Sequence, residues 1–392
     1  MTKILEGIRV LDLSQFISGP YCTSYLADQG AEVIKVEPPG FGEALRYFQF
    51  LDKQFAPLFT ILNRNKKSIT LDLRKEQSKE IFLNLVEKTD IVIENFIPGT
   101  MEKWGLSYEV LKERKPDLIY GAISGFGQTG PRSKFPAFDL IAQAASGMMH
   151  AQNIDEGTPR IPFADYSSGL CMGVGIMQAL YYREKTGKGQ FIDLSMQDLM
   201  FSMNIRAQAY EFVERARIHD FTARMLPTYN QYKTKDGLKV VLVTITEGQF
   251  SRMMKVIGRE ELLKDERLSD AIKRFDYLDF LDEVLEEYTL KYDRDEIVKV
   301  MKDNRVPCSP VLSVEEIYDD EQLESRGMYN REYTFENVEK ATIPNPVLKF
   351  SETPGDIQDK APDLGKNNDE IYGSFLGIEP ESLAKLKRKR II

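Results

Sequence analysis

The stretch LEGIRVLDLSQFISGPYCTSYLADQGAEVIKVEP, residues 5–38, decides the fold class. Two apolar, β-branched runs, Ile8 to Leu13 and Glu32 to Val36, flank a helical-period segment from Tyr21 to Asp28. Bounded by Gly, Ser and Pro, they read as a strand, a helix and a second strand. The pattern recurs at Asp90 to Glu94 and Leu118 to Ser124, with a further helical period at Glu76 to Glu87. Such alternation predicts an α/β fold of βαβ units around a parallel sheet.

Farther along, Asp236-Gly237 sits between two β-rich runs within Tyr229 to Thr246. It predicts a hairpin with a type I′ turn, which needs positive φ at both central residues. Phe250 to about Asn304 is charged and helix-periodic, and Pro310 to Ser313 suits a further strand. Residues 226–324 therefore read as a smaller α+β domain between 1–225 and 325–392. The last segment, with Pro344, Pro346, Pro354 and Pro362, reads as loop-rich and ending in a helix. No internal repeat or low-complexity tract interrupts this organisation.

The 52 basic and 61 acidic side chains leave a net charge of −9 over 392 residues, which argues against nucleic acid as a partner, because phosphate neutralisation needs a basic face. Hydrophobic residues at 42% and charged residues at 29% fit a soluble globular protein. No segment approaches the roughly 20 apolar residues that cross a bilayer, and Glu6 and Arg9 interrupt the N-terminal region where a secretory signal needs an apolar stretch. The expectation is a cytoplasmic protein with no membrane partner. Cys22, Cys171 and Cys308 are too scattered for a disulfide framework. With only His150 and His219, a His-rich zinc centre is excluded and a Ser/His/Asp triad is disfavoured, so no metal is expected. The basic run Lys385 to Arg390 reads as a solvated helix end that complements the helix dipole.

Gly125-Phe-Gly-Gln-Thr-Gly130 matches GxGxxG and follows a predicted strand. A dinucleotide fingerprint would open a helix at the first βα turn, whereas Pro131, Arg132 and Pro136 follow this one, after the fourth strand. It reads instead as a Gly-rich loop that a ligand could approach closely. Walker A, HExxH and GxSxG patterns are absent. More informative is Arg160-Ile-Pro-Phe-Ala-Asp-Tyr-Ser-Ser-Gly169, which leads into a helix stopped at Gly187. Gly169, Cys171, Gly173 and Gly175 would let that helix approach another backbone. Asp165 falls just before the helix N-terminus. Two readings stay open there: an N-cap, or a functional carboxylate, with Ser167 and Ser168 available as caps.

At these residues the chain resembles the class III CoA-transferases, which share a superfamily with α-methylacyl-CoA racemase. The resemblance is carried in order by Leu5 to Ser14, Gly19-Pro20, Leu26 to Pro38, Asn65 to Leu73, Asp90 to Gly99, Ser124 to Pro131, Ala164-Asp165, Lys185 to Gln190, Val306 to Val311 and Pro362 to Gly365. It implies a Rossmann-like large domain built from both chain ends, a smaller inserted domain and an interlocked homodimer. It further implies coenzyme A as a substrate thioester, an acyl-CoA donor and a carboxylic-acid acceptor. The family's nucleophilic aspartate maps onto Asp165, and its CoA contacts map onto Leu71, Leu73, Arg74, Asn95, Phe96, Thr100 and Lys103. Arg74 and Lys103 suit the nucleotide phosphates, while Leu71, Leu73 and Phe96 suit the adenine.

An aspartate of ordinary pKa near ~3.9 is ionised at neutral pH and can attack a thioester without a general base. The implied path runs through a mixed anhydride and an aspartyl-CoA thioester, with Gly125 to Gly130, Ser18-Gly19 and Thr246 to Gly248 as candidate amide donors for the oxyanions. Formate-specific members carry a run of glycines that is missing between Ala223 and Gly248, a glutamine at the position of Ile17 and a basic residue at that of Pro38. A larger, less polar acid is therefore expected, with Gln15 a possible substitute for the glutamine. The racemase alternative needs a histidine where this chain has Phe138, and a phenyl ring carries no proton. Asp139, which reads equally as a loop or cap residue, or His150, which reads as structural, would have to stand in. A non-catalytic CoA-binding protein is a further alternative, against which the retention of Asp165 argues.

Overall fold

The computed structural model describes residues 3–47, 57–152, 157–209, 226–335 and 338–392. The chain divides into two compact units, Met1–Glu211 with Ser325–Ile392, and Phe212–Glu324. The boundary expected at 225/226 falls at the edge of the described residues, and His219 and Ala223 lie outside them.

In the first unit, strands β1 (Arg9–Asp12), β2 (Glu32–Glu37), β3 (Lys66–Thr70), β4 (Ile91–Glu94), β5 (Ile119–Ser124) and β6 (Phe191–Ser195) form a parallel sheet in the order β3-β2-β1-β4-β5-β6. Its helices are α1 (Ser18–Asp28), α2 (Pro57–Asn63), α3 (Glu76–Glu87), α4 (Thr100–Lys103), α5 (Tyr108–Arg114), α6 (Asp139–Ala145), α7 (Met148–Ala151), α8 (Phe163–Thr186) and α9 (Met196–Met203). Because successive strand residues face opposite sides, Leu11, Val92 and Tyr120 join Phe82 and Leu111 in one core. Val10, Ile93 and Ile123 join Leu26, Met172 and Ile176 in the other. The strand order reverses between β1 and β4, and doubly wound sheets take their ligands in the crevice outside the carboxyl ends at such a point.

Four of these strands fall where the sequence placed them. β3 and β6 were not anticipated, because β3 opens with two lysines and β6 is a half-exposed edge. Lys66 can sit inside the sheet because its ammonium reaches the buried carboxylate of Asp12 at 2.9 Å. Lys66 also donates to Thr23 Oγ1, Asn63 Oδ1 and the carbonyl of Pro20. On the far side of β3, Asn367 and Asn368 accept from the backbone amides of Ser68 and Thr70, and the Tyr372 hydroxyl donates to the carbonyl of Thr70. Residues 363–372 thus close the edge of a sheet begun some 300 positions earlier. The return segment also holds an antiparallel hairpin, β10 (Tyr329–Phe335) with β11 (Val338–Pro344), that the proline-rich composition concealed.

Helix α8 lies on α1 where Gly169 meets the carbonyl of Ser18; a Cβ at Gly169 would come within 2.6 Å of that oxygen. Of the small residues singled out in the sequence, Gly169 makes the close backbone crossing. A Cβ at Gly173 would meet nothing within 4 Å.

The second unit packs β7 (Thr228–Lys233), β8 (Lys239–Thr244) and β9 (Cys308–Pro310) with α10 (Glu247–Val256), α11 (Ala271–Arg274), α12 (Leu278–Thr289) and α13 (Arg294–Asp303) around Tyr232, Leu242, Phe250, Leu285 and Met301. The hairpin at Asp236-Gly237 is present, but its turn is not type I′. Gly237 has φ +80° while Asp236 has no positive φ, and the loop closes from Thr234 N–H to the carbonyl of Leu238. The Asp236 carboxylate stabilises this wider loop by accepting from Thr234 Oγ1 and from the amides of Leu238 and Arg294. Among the described residues, no helix is long and apolar enough to cross a membrane, and no group of His, Cys, Asp and Glu is placed to hold a metal ion.

Replacing Gly169 by Ala is expected to lower the free energy of unfolding by about 1–3 kcal/mol, because backbone rather than a flexible side chain opposes the methyl group. Gly173→Ala, in open space within the same helix, should leave stability unchanged or raise it by up to ~1 kcal/mol. Urea denaturation of the two variants checks the contrast.

Candidate active site

The carboxyl ends of β1 and β4 are locked together by one side chain. Asn95 Oδ1 accepts from the Gln15 amide at 2.8 Å, and its Nδ2 donates to the Gln15 carbonyl at 2.7 Å and to Ser18 Oγ at 3.2 Å. The turn before Gln15 is fixed from below. Asp12 Oδ1 accepts from the Ser14 amide and hydroxyl, and the Lys35 ammonium donates to the Ser14 carbonyl at 2.9 Å. Phe16 then takes φ +60°, a left-handed conformation that bulky residues rarely adopt. Its ring meets Phe138 edge-on at 5.5 Å between centroids.

This turn floors a cavity of about 300 Å³ bounded by Phe96, Gly125, Phe138 and Met196, and the carboxylate of Asp165 opens into it. Asp165 stands in the first turn of α8, which begins at Phe163. The N-cap reading of this residue is therefore corrected. Asp139, from α6, caps the helix instead: its Oδ1 accepts from the amides of Ala164 at 2.7 Å and Asp165 at 3.2 Å, and Gln143 Nε2 holds its Oδ2 at 2.7 Å. Relieved of capping, the Asp165 carboxylate receives no hydrogen bond from any described residue. Burial first, and the nearby Asp139 charge second, push its pKa up to about 7. That corrects the expectation of an ordinary carboxyl, fully ionised at neutral pH. In exchange, the ionised form is poorly solvated and correspondingly reactive.

The implied CoA contacts divide into three groups. Asn95 and Phe96 line the cavity with Asp165, with Phe96 edge-on to Trp104 at 5.2 Å. Thr100, whose hydroxyl donates to the carbonyl of Ile97 at 2.6 Å, and the exposed Lys103 lie on α4, just beyond the carboxyl end of β4. Arg74 follows β3 on the same edge of the sheet and is exposed, with its guanidinium paired to Asp72 at 2.7 Å. The third group is a correction. Leu71 and Leu73 are 2% and 7% exposed and belong to the sheet core, so their side chains cannot flank an adenine. Any contact from them goes through backbone.

Other expected residues also find their places. In the Gly-rich loop, the Gln128 amide donates to the Asp193 carboxylate. Gly125 is required because a Cβ there would collide with Ala137 at 2.2 Å. At α1, Ile17 makes no side-chain cap hydrogen bond, and Ser18, the first helical residue, lines the cavity. Thr246 to Gly248 belong to the second unit, where Thr246 and Gln249 form a capping box. His150 is exposed on α7 and does not line the cavity. Sequence reasoning missed Glu94, a buried carboxyl raised to about 8 by burial, which accepts from the Phe96 amide at 2.6 Å. Asp139, which the sequence left open as a second carboxylate or a loop or cap residue, takes the cap role, steadied by Gln143 one helical turn on.

A doubly wound sheet with a cavity at its switch point, in which Asp165 is the only ionisable side chain among the described lining residues, has the ligand-site geometry of an α/β enzyme. Comparison with known proteins makes the class specific. The chain belongs to CoA-transferase family III, whose model matches residues 5–368. It is 34% identical to a succinyl-CoA–L-malate CoA-transferase alpha subunit of Chloroflexus aurantiacus over 99% of this chain and 92% of that one. It is 35% identical to a succinyl-CoA:mesaconate CoA-transferase of Haloarcula hispanica over 94% and 95%. Its fold matches the crystal structure of a CAIB/BAIF family protein from Brucella suis with a TM-score of 0.80 and 31% identity, covering 95% of this chain and all of that one.

A carboxylate attacks a thioester only in its ionised form, so in a transferase that uses Asp165 the single-turnover rate at which the donor acid is freed from its CoA ester should rise with pH through about 7 and level off above it. Asp139→Asn removes the neighbouring negative charge but keeps an oxygen for the Ala164 amide, so the midpoint should move to lower pH. Rapid-quench mass spectrometry of the freed donor acid across pH 5–9 reads both outcomes; a midpoint near 4 in the unmodified protein would contradict the burial argument.

Proposed function

We propose that this protein moves CoA from an acyl-CoA thioester to a free carboxylic acid, with Asp165 as the nucleophile. One observation carries the reading: the only ionisable side chain lining the switch-point cavity among the described residues is a carboxylate held without hydrogen bonds. Its oxygen attacks the thioester carbonyl carbon, the C–S bond breaks, and CoA thiolate leaves a mixed anhydride. The thiolate then attacks the aspartyl carbonyl and expels the donor acid as its carboxylate, which leaves an aspartyl-CoA thioester. The acceptor carboxylate repeats the two steps in reverse order and restores Asp165. One thioester replaces another, so the exchange consumes no ATP and moves no net proton.

The chain's other residues divide the work. The first-turn amides of α1 face the developing oxyanions. Phe96 and Thr100 line the path of the thioester arm, and Arg74 and Lys103 hold phosphates at the outer edge of the sheet. The names of both relatives describe the same reaction type, a CoA thioester and a free acid. Proton abstraction as a racemase is disfavoured by Phe138, which lines the cavity where that chemistry needs a base.

Borohydride added during turnover should reduce the aspartyl thioester and convert Asp165 to homoserine, visible in its peptide by mass spectrometry. An unmodified Asp165 under turnover, or α-hydrogen exchange from deuterated water without an acceptor acid, would reject the mechanism. Asp165→Ala should lower transfer by about 10³-fold or more.

The reading includes pairing of two copies as an interlocked homodimer. Support comes from the apolar groove of about 790 Å³ between α1, α8 and Val347 to Phe350, along which Leu170, Val174, Met177 and Tyr181 are exposed at helical spacing. Val174→Glu should shift the protein toward the monomer mass in light scattering, and an unshifted dimer would place the contact elsewhere.

A further inference from the structure

Resting on the transferase reading, the geometry points to an apolar monocarboxylic acid, aryl or branched, as the group whose CoA ester is exchanged. The acyl end of the substrate must lie in the cavity that holds Asp165. Among the described residues that line it, none carries a positive charge, and Asp165 is the only ionisable one. The remaining polar groups there are neutral, and the Asn95 amide is already spent on Gln15 and Ser18. A second carboxylate on the acyl group would enter without a counter-ion, beside a nucleophile whose ionisation burial already opposes. An ion left unpaired in such a site is disfavoured strongly.

The apolar lining is built, not incidental. Phe16 is held at φ +60°, a conformation that persists in a bulky residue only where the surroundings impose it and that tends to occur at ligand sites. What imposes it here is the Asp12, Lys35 and Asn95 bonding around Ser14 and Gln15. The strained turn delivers the Phe16 ring to the face of the cavity, edge-on to Phe138. Around the mouth, Ile97, Phe135 and Phe138 are 47%, 58% and 63% exposed, a degree of apolar exposure that a large apolar ligand would relieve. The two relatives described above are named for succinyl-CoA with malate or mesaconate, acids with two carboxylates. This chain departs from them in substrate class while keeping the reaction.

Identity exchange tests the assignment without knowledge of the natural pair. The full-length protein is incubated with 3-phenylpropanoyl-CoA and deuterated 3-phenylpropanoate, and separately with succinyl-CoA and deuterated succinate. Mass spectrometry then follows label entering each CoA ester. The apolar pair should exchange at least tenfold faster. Phe138→Arg, a change at an exposed position, should cut that ratio by tenfold or more, chiefly by raising the KM for the aryl acid. Succinate exchange as fast as or faster than aryl exchange overturns the substrate class and leaves the transferase mechanism standing. No exchange with either pair also overturns it, and borohydride trapping then separates the two failures: a modified Asp165 preserves the transferase reading, and an unmodified one removes it.

Discussion

The carboxylate of Asp12 holds the first unit together. It is fully buried, and burial alone would favour its neutral form, yet the ammonium groups of Lys66 and Lys35 hold its pKa well below the usual carboxylate range. Lys66 opens β3, Lys35 lies within β2 and Asp12 ends β1, so one cluster of charges ties three adjacent strands together. Lys35 continues the cluster to Glu43, and Glu37 to Arg46 and Ser68. Each member depends on the next. Removing one partner of a buried pair typically costs about 3–5 kcal/mol, because the other charge stays behind unpaired. Such a cluster adds less to net stability than to uniqueness, since a slipped strand would strand a charge. Its outlet is the turn Ser14 to Phe16, and the cavity floor inherits its rigidity from there.

Above that floor the chemistry depends on a division between two aspartates. A helix N-terminus favours a carboxylate, and without Asp139 the amides of Ala164 and Asp165 would be free to bind Asp165 itself. That contact would stabilise the ionised form, lower its basicity and turn it from the cavity. Asp139 occupies the amides, and its charge further disfavours ionisation of the neighbour. The close crossing of α8 over α1 at Gly169 sets the height at which Asp165 stands. Stability at the helix end and reactivity at the carboxylate are thus assigned to different residues.

The sequence made the large unit legible wherever burial wrote a simple pattern. Strands buried on both faces read as apolar runs, and β1, β2, β4 and β5 were found on that signal. Strand β3 escaped because its lysines read as surface, and only the distant Asp12 makes Lys66 an interior residue. The order of motifs marked Asp165 as a candidate, and its elevated pKa had no signal in the sequence, because desolvation is a property of the assembled cavity. The strain at Phe16 had no local signal at all: nothing in Gln-Phe-Ile marks a left-handed residue. Leu71 and Leu73 show the converse: the resemblance suggested that their side chains flank the adenine, and those side chains belong to the core.

The seal on β3 by residues 363–372 has a consequence for how the protein comes into being. Thr70 and Asn368 stand 298 positions apart, so on a ribosome the outer edge of the sheet stays open while the whole second unit is made. Contacts of such long range form slowly and leave strand edges exposed in the meantime. Until the last segment arrives, β3 is an unpaired edge that carries Lys66, Lys67 and the exposed Arg74 close behind. Charge at a strand edge discourages pairing with other chains. Lys67, whose ammonium reaches Glu370 only once that segment is made, would therefore act as a guard during synthesis.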